Sequence, residues 1–326
     1  MKVFVTRKIP EEGLKILEKE CDEVQVFPHD RIPKKKEIIE GIKGKDGLLC
    51  LLTDPIDKEV ISSGDRLKAI SIYAAGYDNV DVKEATKRGI IVSNTPDVLT
   101  DATAELAWAL LFAVARRVVE GDRFTRSGKF RGWSPLLMLG KRISGSTLGI
   151  IGAGRIGTAF ALKSKGLNMK VLYYNRSKNE VLEKELGARK VSLEDLLKQS
   201  DFISIHLPLT PETYHLIGEK ELSMVKKGAV IINTARGAII DERALVKALK
   251  EKRIFGAGLD VYENEPEVNE ELKKLDNVVL LPHIGSATFE TRVKMAILAA
   301  ENLVASLKGE KPKYCVNPEV FDKLRG

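Results

Sequence analysis

The sequence predicts an α/β chain: two parallel sheets, each wrapped by helices, with a long helix between them. Three observations carry this. Residues 1–95 alternate short apolar runs with helical patterns. The same alternation restarts at Thr147 and runs to Leu281. Between the two, Asp97 to Arg126 breaks the rhythm with one continuous helical pattern. A length of 326 residues suits two domains.

In the first half, Val3–Thr6, Val24–Phe27, Gly47–Leu52, Leu67–Ile72 and Ile90–Val92 read as strands, being short apolar runs bounded by turn residues. Glu11–Glu20 reads as a helix on the spacing of Leu14, Ile16 and Leu17; Lys34–Ile42, Lys58–Ser62 and Val82–Arg88 follow as helices. Leu106, Leu110, Leu111 and Val114 repeat at helical spacing, and no Gly or Pro intervenes before Gly121, so one helix is expected to 126, begun by a Thr100 or Asp101 cap. Ser127–Ser146, rich in Gly and basic residues, reads as an extended arm. The second half places strands at Thr147–Ile151, Met169–Tyr174, Phe202–His206, Ala229–Asn233, Ile254–Asp260 and Val278–Leu281, then a long helix at Ala287–Leu307.

The net charge is +7, but 53 basic residues are interleaved with 46 acidic ones, so no nucleic-acid footprint is expected. Lys34-Lys35-Lys36 reads as the solvated first turn of a helix. The cysteines, Cys21, Cys50 and Cys315, are odd in number and far apart, which implies neither a disulfide framework nor a zinc site. No histidine pair has metal-ligand spacing, so no metal is expected. No apolar run reaches the ~18 residues of a membrane span and the N-terminus lacks a secretory core; a cytoplasmic protein is the expectation.

Gly152-Ala153-Gly154-Arg155-Ile156-Gly157 is G-x-G-x-x-G, set between the strand ending at Ile151 and the helical stretch Thr158–Lys165. In that context it is a dinucleotide fingerprint of the Rossmann type. Gly152 permits the tight turn, Gly154 a close approach of backbone to a pyrophosphate, and Gly157 the packing of helix on strand. The N–H groups of Arg155 and Ile156 would face the phosphates at the positive helix end. The next strand ends in Asn175-Arg176-Ser177, where an NAD site usually carries an acid. An Arg and a Ser instead suit a 2′-phosphate, so NADP(H) is expected to be preferred, with NAD(H) as the second cofactor.

Three further residues each follow a predicted strand, at the edge where open α/β sheets bind ligands. Arg236 can fork onto a carboxylate. His283 can pass a proton near neutral pH. Glu265 can hold a histidine and favour its protonated form. Together they read as an acid–base constellation.

The stretches Tyr73–Asp81, Asn94–Glu105, the glycine fingerprint, Thr234-Ala235-Arg236-Gly237, Gly258-Leu259-Asp260-Val261 and Pro282–Thr288 resemble the motifs of the D-isomer-specific 2-hydroxyacid dehydrogenases, nearest to the glyoxylate/hydroxypyruvate reductases. The resemblance spans nearly the whole chain. It implies a discontinuous substrate-binding domain, 1–98 with 287–326, a dinucleotide-binding domain, 99–286, and the two long helices as crossings between them.

It further implies that Arg236 binds the carboxylate and carbonyl of a small 2-oxo acid, that His283 donates the proton as hydride arrives, and that Glu265 keeps His283 oriented and protonated. Backbone N–H groups of Ala75 and Gly76 would hold the carboxylate. Thr103, Leu207, Pro208, Thr213, Thr234, Ala235, Asp260 and Gly285 would join the glycine loop around the cofactor. The cofactor domain and the 121–146 arm would form a homodimer, with Trp133 either limiting the partner's pocket or serving only as an aromatic anchor of the dimer interface. The resemblance leaves open a lactate- or phosphoglycerate-type dehydrogenase and a dinucleotide-sensing regulator.

Overall fold

The computed structural model describes residues 1–324 and separates into two compact units, Met1–Leu99 with Ser286–Gly326 and Thr100–Gly285. The first unit contains β1 (Lys2–Val5), α1 (Glu11–Glu20), β2 (Glu23–Val26), α2 (Lys35–Ile42), β3 (Gly47–Cys50), α3 (Lys58–Ser63), β4 (Ala69–Ile72), α4 (Val82–Lys87) and β5 (Ile91–Ser93). The strands are parallel in the order β2-β1-β3-β4-β5. β3, β4 and β5 are apolar or small at every position and wholly buried, as strands covered on both faces must be. Asp57 and Asp81 start α3 and α4 by accepting the N–H groups of their first turns.

The second unit opens with α5 (Thr100–Ala115) and α6 (Val118–Arg126). It continues through β6 (Thr147–Ile151), α7 (Arg155–Leu162), β7 (Lys170–Tyr174), α8 (Glu180–Leu186), β8 (Arg189–Lys190), α9 (Leu193–Gln199) and β9 (Phe202–Ile205). It ends with α10 (Glu219–Met224), β10 (Val230–Asn233), α11 (Glu242–Lys250), β11 (Gly256–Leu259), α12 (Glu270–Lys273) and β12 (Val278–Leu280). The order is β12-β11-β10-β9-β6-β7-β8, all parallel. The strand order reverses between β6 and β9, so their carboxyl ends frame the crevice where a doubly wound sheet receives its ligand. α5 packs its Ala, Trp and Leu face into the core beneath this sheet.

α13 (Phe289–Leu307) and α14 (Val320–Leu324) return to the first unit. α13 lies so close to α1 that a Cβ on Gly13 would sit 2.6 Å from the Ala296 carbonyl oxygen. Ser71 donates to Ala299 O (2.8 Å) and Tyr73 to Arg292 O (2.7 Å), pinning β4 to the same helix.

The structure corrects the expected elements in four places. The helix expected to run unbroken to 126 breaks at Arg117, which takes a left-handed φ of +52°. Its Ala115 carbonyl is claimed by Lys141 N–H (2.7 Å) from the returning arm, and a Cβ at Gly140 would lie 2.4 Å from that oxygen. A tertiary contact ends the helix where local sequence does not. Thr100 is the first helical residue of α5, so neither it nor Asp101 is the cap. The helix after the fingerprint begins at Arg155, with a 3-10 turn over Lys163–Leu167 replacing its expected end. The short β8 was not anticipated; two exposed basic residues carry no apolar signal.

Candidate active site

The carboxyl end of β6 delivers the glycine loop. Gly152 has φ +95°, and a Cβ there would lie 2.8 Å from the His206 carbonyl. A Cβ on Gly157 would fall 2.0 Å from Gly152 O, so α7 rests directly on the turn. Gly154 differs: no atom lies within 4 Å of where its Cβ would be. The hydrogen bonding of α7 starts with Thr158 N–H to Gly154 O (2.8 Å), so the preceding N–H groups, Ile156 among them, stand at the helix's positive end. Protein fills the space at two glycines and leaves it open at the one that must approach a pyrophosphate. The loop therefore fits a dinucleotide.

Beyond β7, Asn175 Nδ2 donates to Ser177 O (3.1 Å), and the Arg176 carbonyl accepts from Lys190 Nζ (2.8 Å). Lys190, unremarked in the sequence, brings a further cation to this loop. An acid is also near: the Glu212 carboxyl is held below its ordinary value first by the Thr210 hydroxyl, then by its own backbone, with the Arg176 charge adding to the effect. Beyond β9, Thr213 Oγ1 accepts from Thr210 N–H (2.8 Å) and donates to Pro208 O (2.7 Å), closing the loop that Leu207 begins. His206 faces Ser204 Oγ (2.9 Å) and the Phe160 ring (centroids 5.1 Å apart), and burial pushes its imidazole down to about 3, so it is neutral.

The segments after β10, β11 and β12 carry Arg236, Glu265 and His283. Buried Asn233 clamps the turn after β10, accepting Ala235 N–H (3.0 Å) and donating to Arg236 O (2.9 Å). Arg236 Nη1 donates to Ala235 O (2.8 Å). Thr234, one residue past β10, is buried. His283 Nδ1 and Glu265 Oε2 are 2.7 Å apart. Burial alone would raise the Glu265 carboxyl; the His283 ring, Tyr262 N–H and the Arg236 charge outweigh it and hold the carboxyl below its ordinary value. Glu265 is thus a carboxylate at neutral pH, and the charge of Arg236 reaches it.

His283 has a left-handed φ of +55°, an uncommon conformation for a non-glycine residue. Asp260 holds it there. Its Oδ1 accepts Ile284 N–H (2.8 Å) and its Oδ2 accepts Gly285 N–H (2.7 Å), the two amides after the histidine. Burial raises the Asp260 carboxyl, and the Glu265 charge adds to this against the two amides and His283. A Cβ on Gly285 would approach Asp260 (3.2 Å) and Thr103 (3.4 Å), which places Thr103 of α5 beside this turn. Asp260 was expected only as a cofactor contact; its grip on the His283 turn carries no sequence signal.

Two expected groups belong to other segments of the chain. Ala75 and Gly76 follow β4 in the first unit, where Asn94 Nδ2 donates to Ala75 O (2.6 Å) and fixes the loop. Trp133 is 85% exposed on the arm, with Phe130, Leu136 and Leu139 also exposed. Among the described residues, no His, Cys, Asp and Glu group is arranged to hold a metal ion, and no helix is long and apolar enough to cross a membrane.

Residues 108–285 match the NAD binding domain of the D-isomer specific 2-hydroxyacid dehydrogenases. The chain belongs to this family. It is 56% identical to glyoxylate reductase of Thermococcus litoralis over 324 residues, 98% of each chain. A solved Thermus thermophilus structure superposes with a TM-score of 0.90 at 44% identity, covering 97% of this chain and 100% of that one. The NADPH-dependent glyoxylate/hydroxypyruvate reductase of Sinorhizobium meliloti, in complex with NADP and malonate, gives a TM-score of 0.86 at 32% identity, with 97% and 96% covered. This chain is accordingly a 2-hydroxyacid dehydrogenase with a nicotinamide dinucleotide cofactor and a small 2-oxo acid substrate.

Proposed function

We propose that this 2-hydroxyacid dehydrogenase reduces glyoxylate, and hydroxypyruvate beside it, to the 2-hydroxy acid, with NADPH preferred over NADH. The observation that carries the reading is the 2.7 Å contact of His283 Nδ1 with Glu265, at the edge of a sheet whose glycine loop fits a dinucleotide. Two of the relatives named above, those of Thermococcus litoralis and Sinorhizobium meliloti, are glyoxylate reductases, and that choice of substrate comes from them.

When bound, the nicotinamide supplies the hydride. The remaining work falls to this chain. Glu265 occupies Nδ1 and stabilises the imidazolium, which leaves Nε2 to give its proton to the carbonyl oxygen. Arg236, always charged, pairs with the substrate carboxylate and draws on the same carbonyl. The Ala75–Gly76 amides receive the carboxylate from the substrate-binding domain formed by the N-terminal segment and α13. Arg155 and Ile156 face the pyrophosphate, and Arg176 with Ser177 and Lys190 receives a 2′-phosphate. The exposed apolar arm is covered by a second copy, giving a homodimer.

The test is the initial rate of NADPH and of NADH oxidation with glyoxylate, hydroxypyruvate and pyruvate. Glyoxylate with NADPH is expected to turn over fastest, and His283→Ala to lose at least about a hundredfold in kcat. Arg176→Ala is expected to weaken NADPH more than NADH; equal losses, or faster turnover of pyruvate than of glyoxylate, would sink the corresponding part of the reading.

A further inference from the structure

The segments after β10 and β11, which carry Arg236 and Glu265, pack backbone against backbone. A Cβ on Gly237 would lie 1.9 Å from the Tyr262 carbonyl carbon and 2.4 Å from Glu263 N. A second set of contacts, away from the reacting groups, spans the same two segments. Glu263 Oε2 accepts Glu242 N–H (3.2 Å) at the start of α11, and Glu263 N–H donates to Glu242 Oε2 (3.1 Å). Glu263 Oε1 lies 3.0 Å from His215 Nε2.

His215 completes the link through its backbone. Its N–H donates to Ala238 O (2.8 Å), and Ile217 N–H donates to Ile239 O (3.1 Å). The residue has φ +50°, and its ring stacks on Tyr214 with centroids 4.0 Å apart at 16°. One side of His215 therefore grips the chain two residues after Arg236. The other grips Glu263, two residues before Glu265.

We propose that His215 and Glu263 are positioning residues that hold the Arg236 and Glu265 segments in register, so that the carboxylate fork and the proton donor keep one fixed separation. The inference rests on the reading of Arg236, Glu265 and His283 given above. Its physical basis is that a reacting pair loses rate steeply when its geometry loosens by even ~1 Å. A contact between a histidine and a carboxylate that are both partly exposed contributes little to stability, so stability alone gives this arrangement little purpose.

The experiment compares Glu263→Ala, Glu263→Gln and His215→Ala with Glu265→Gln as the reference. It measures kcat and KM for glyoxylate across pH, Tm, and the NADPH dissociation constant by fluorescence. Rates are taken well below every variant's Tm. Glu263→Ala and His215→Ala are expected to lower kcat/KM by about tenfold or more, and to move the basic limb of its pH profile to lower pH, as in Glu265→Gln. NADPH binding should stay within about twofold, because the glycine loop is untouched. Glu263→Gln, which keeps one acceptor oxygen, is expected to recover part of the loss. A lowered Tm with unmoved kcat/KM and pH profile would overturn the proposal, while a shifted profile in Glu265→Gln would leave the reading of His283 as proton donor intact. An unmoved profile in Glu265→Gln itself would overturn that reading and this one together.

Discussion

Single residues in this protein divide by what stands in front of them. A Cβ on Gly157 would fall 2.0 Å from Gly152 O, whereas one on Gly154 would meet open space. The two alanine substitutions should therefore separate folding from binding. Gly157→Ala is expected to cost about 1–3 kcal/mol of stability, since the turn and α7 must part. Gly154→Ala should leave Tm nearly unchanged and weaken dinucleotide binding on the order of tenfold, because its methyl group occupies the ligand's space. Thermal melts and cofactor titrations of both variants check this; a Gly154→Ala protein with native affinity would remove the reason given for that glycine. Such residues are legible in a sequence because a backbone requirement leaves one residue type. The His283 turn is less so. Asp260 holds it across 24 residues, through two backbone amides that any residue would supply. Lys190 likewise reaches Arg176 through a carbonyl oxygen, a contact without side-chain signature.

At the scale of elements, the strands are the readable part. β3, β4 and β9 are short runs buried at every position, apolar but for the small Ser71 and Ser204, and burial on both faces leaves no charged residue to confuse the pattern. The break between α5 and α6 was hidden, because Arg116-Arg117 is a good helical pair and the interruption comes from Lys141, over twenty residues on. The C-terminal segment was hidden for the same reason. Asn317, fully buried, accepts Val92 N–H (2.8 Å) and donates to Ile90 O (2.9 Å) and Thr86 Oγ1 (2.8 Å). It closes the outer edge of β5 with a side chain. Asn317→Leu removes the side-chain partner of Val92 N–H and of Ile90 O and is expected to cost about 2–4 kcal/mol. Urea unfolding followed by circular dichroism measures it, and a loss below about 0.5 kcal/mol would show the edge closed by other means.

For the whole molecule the acid range is informative. The Arg31 guanidinium and Lys34 N–H bring Glu37 to about 2, and Lys250 with Lys274 brings Glu271 to about 2. Glu265 also lies below its ordinary value. Carboxyls depressed in the fold bind fewer protons there than in the unfolded chain. Their stabilisation is complete above the ordinary value of 4.5 and is lost as pH falls toward about 2. Asp54 and Asp260 act oppositely, since burial raises both and favours their protonation in the fold. The depressed group is the larger, so Tm is expected to be level from about pH 7 to 5 and to fall below about 4. A Tm that rose on acidification would mean that the two buried aspartates dominate.

The return of α13 to the first unit has a consequence for the order in which the protein is made. Residues 100–285 form a unit contiguous in sequence, and such a unit can fold while the ribosome is still at work. The N-terminal unit emerges first yet must wait. The α1 surface at Gly13 and the Ser71 and Tyr73 hydroxyls have their partners on α13, and β5 has its partner at Asn317. Until some two hundred further residues have been translated, that part of the nascent chain carries an uncovered apolar face. It is the stretch a chaperone would have most reason to shield.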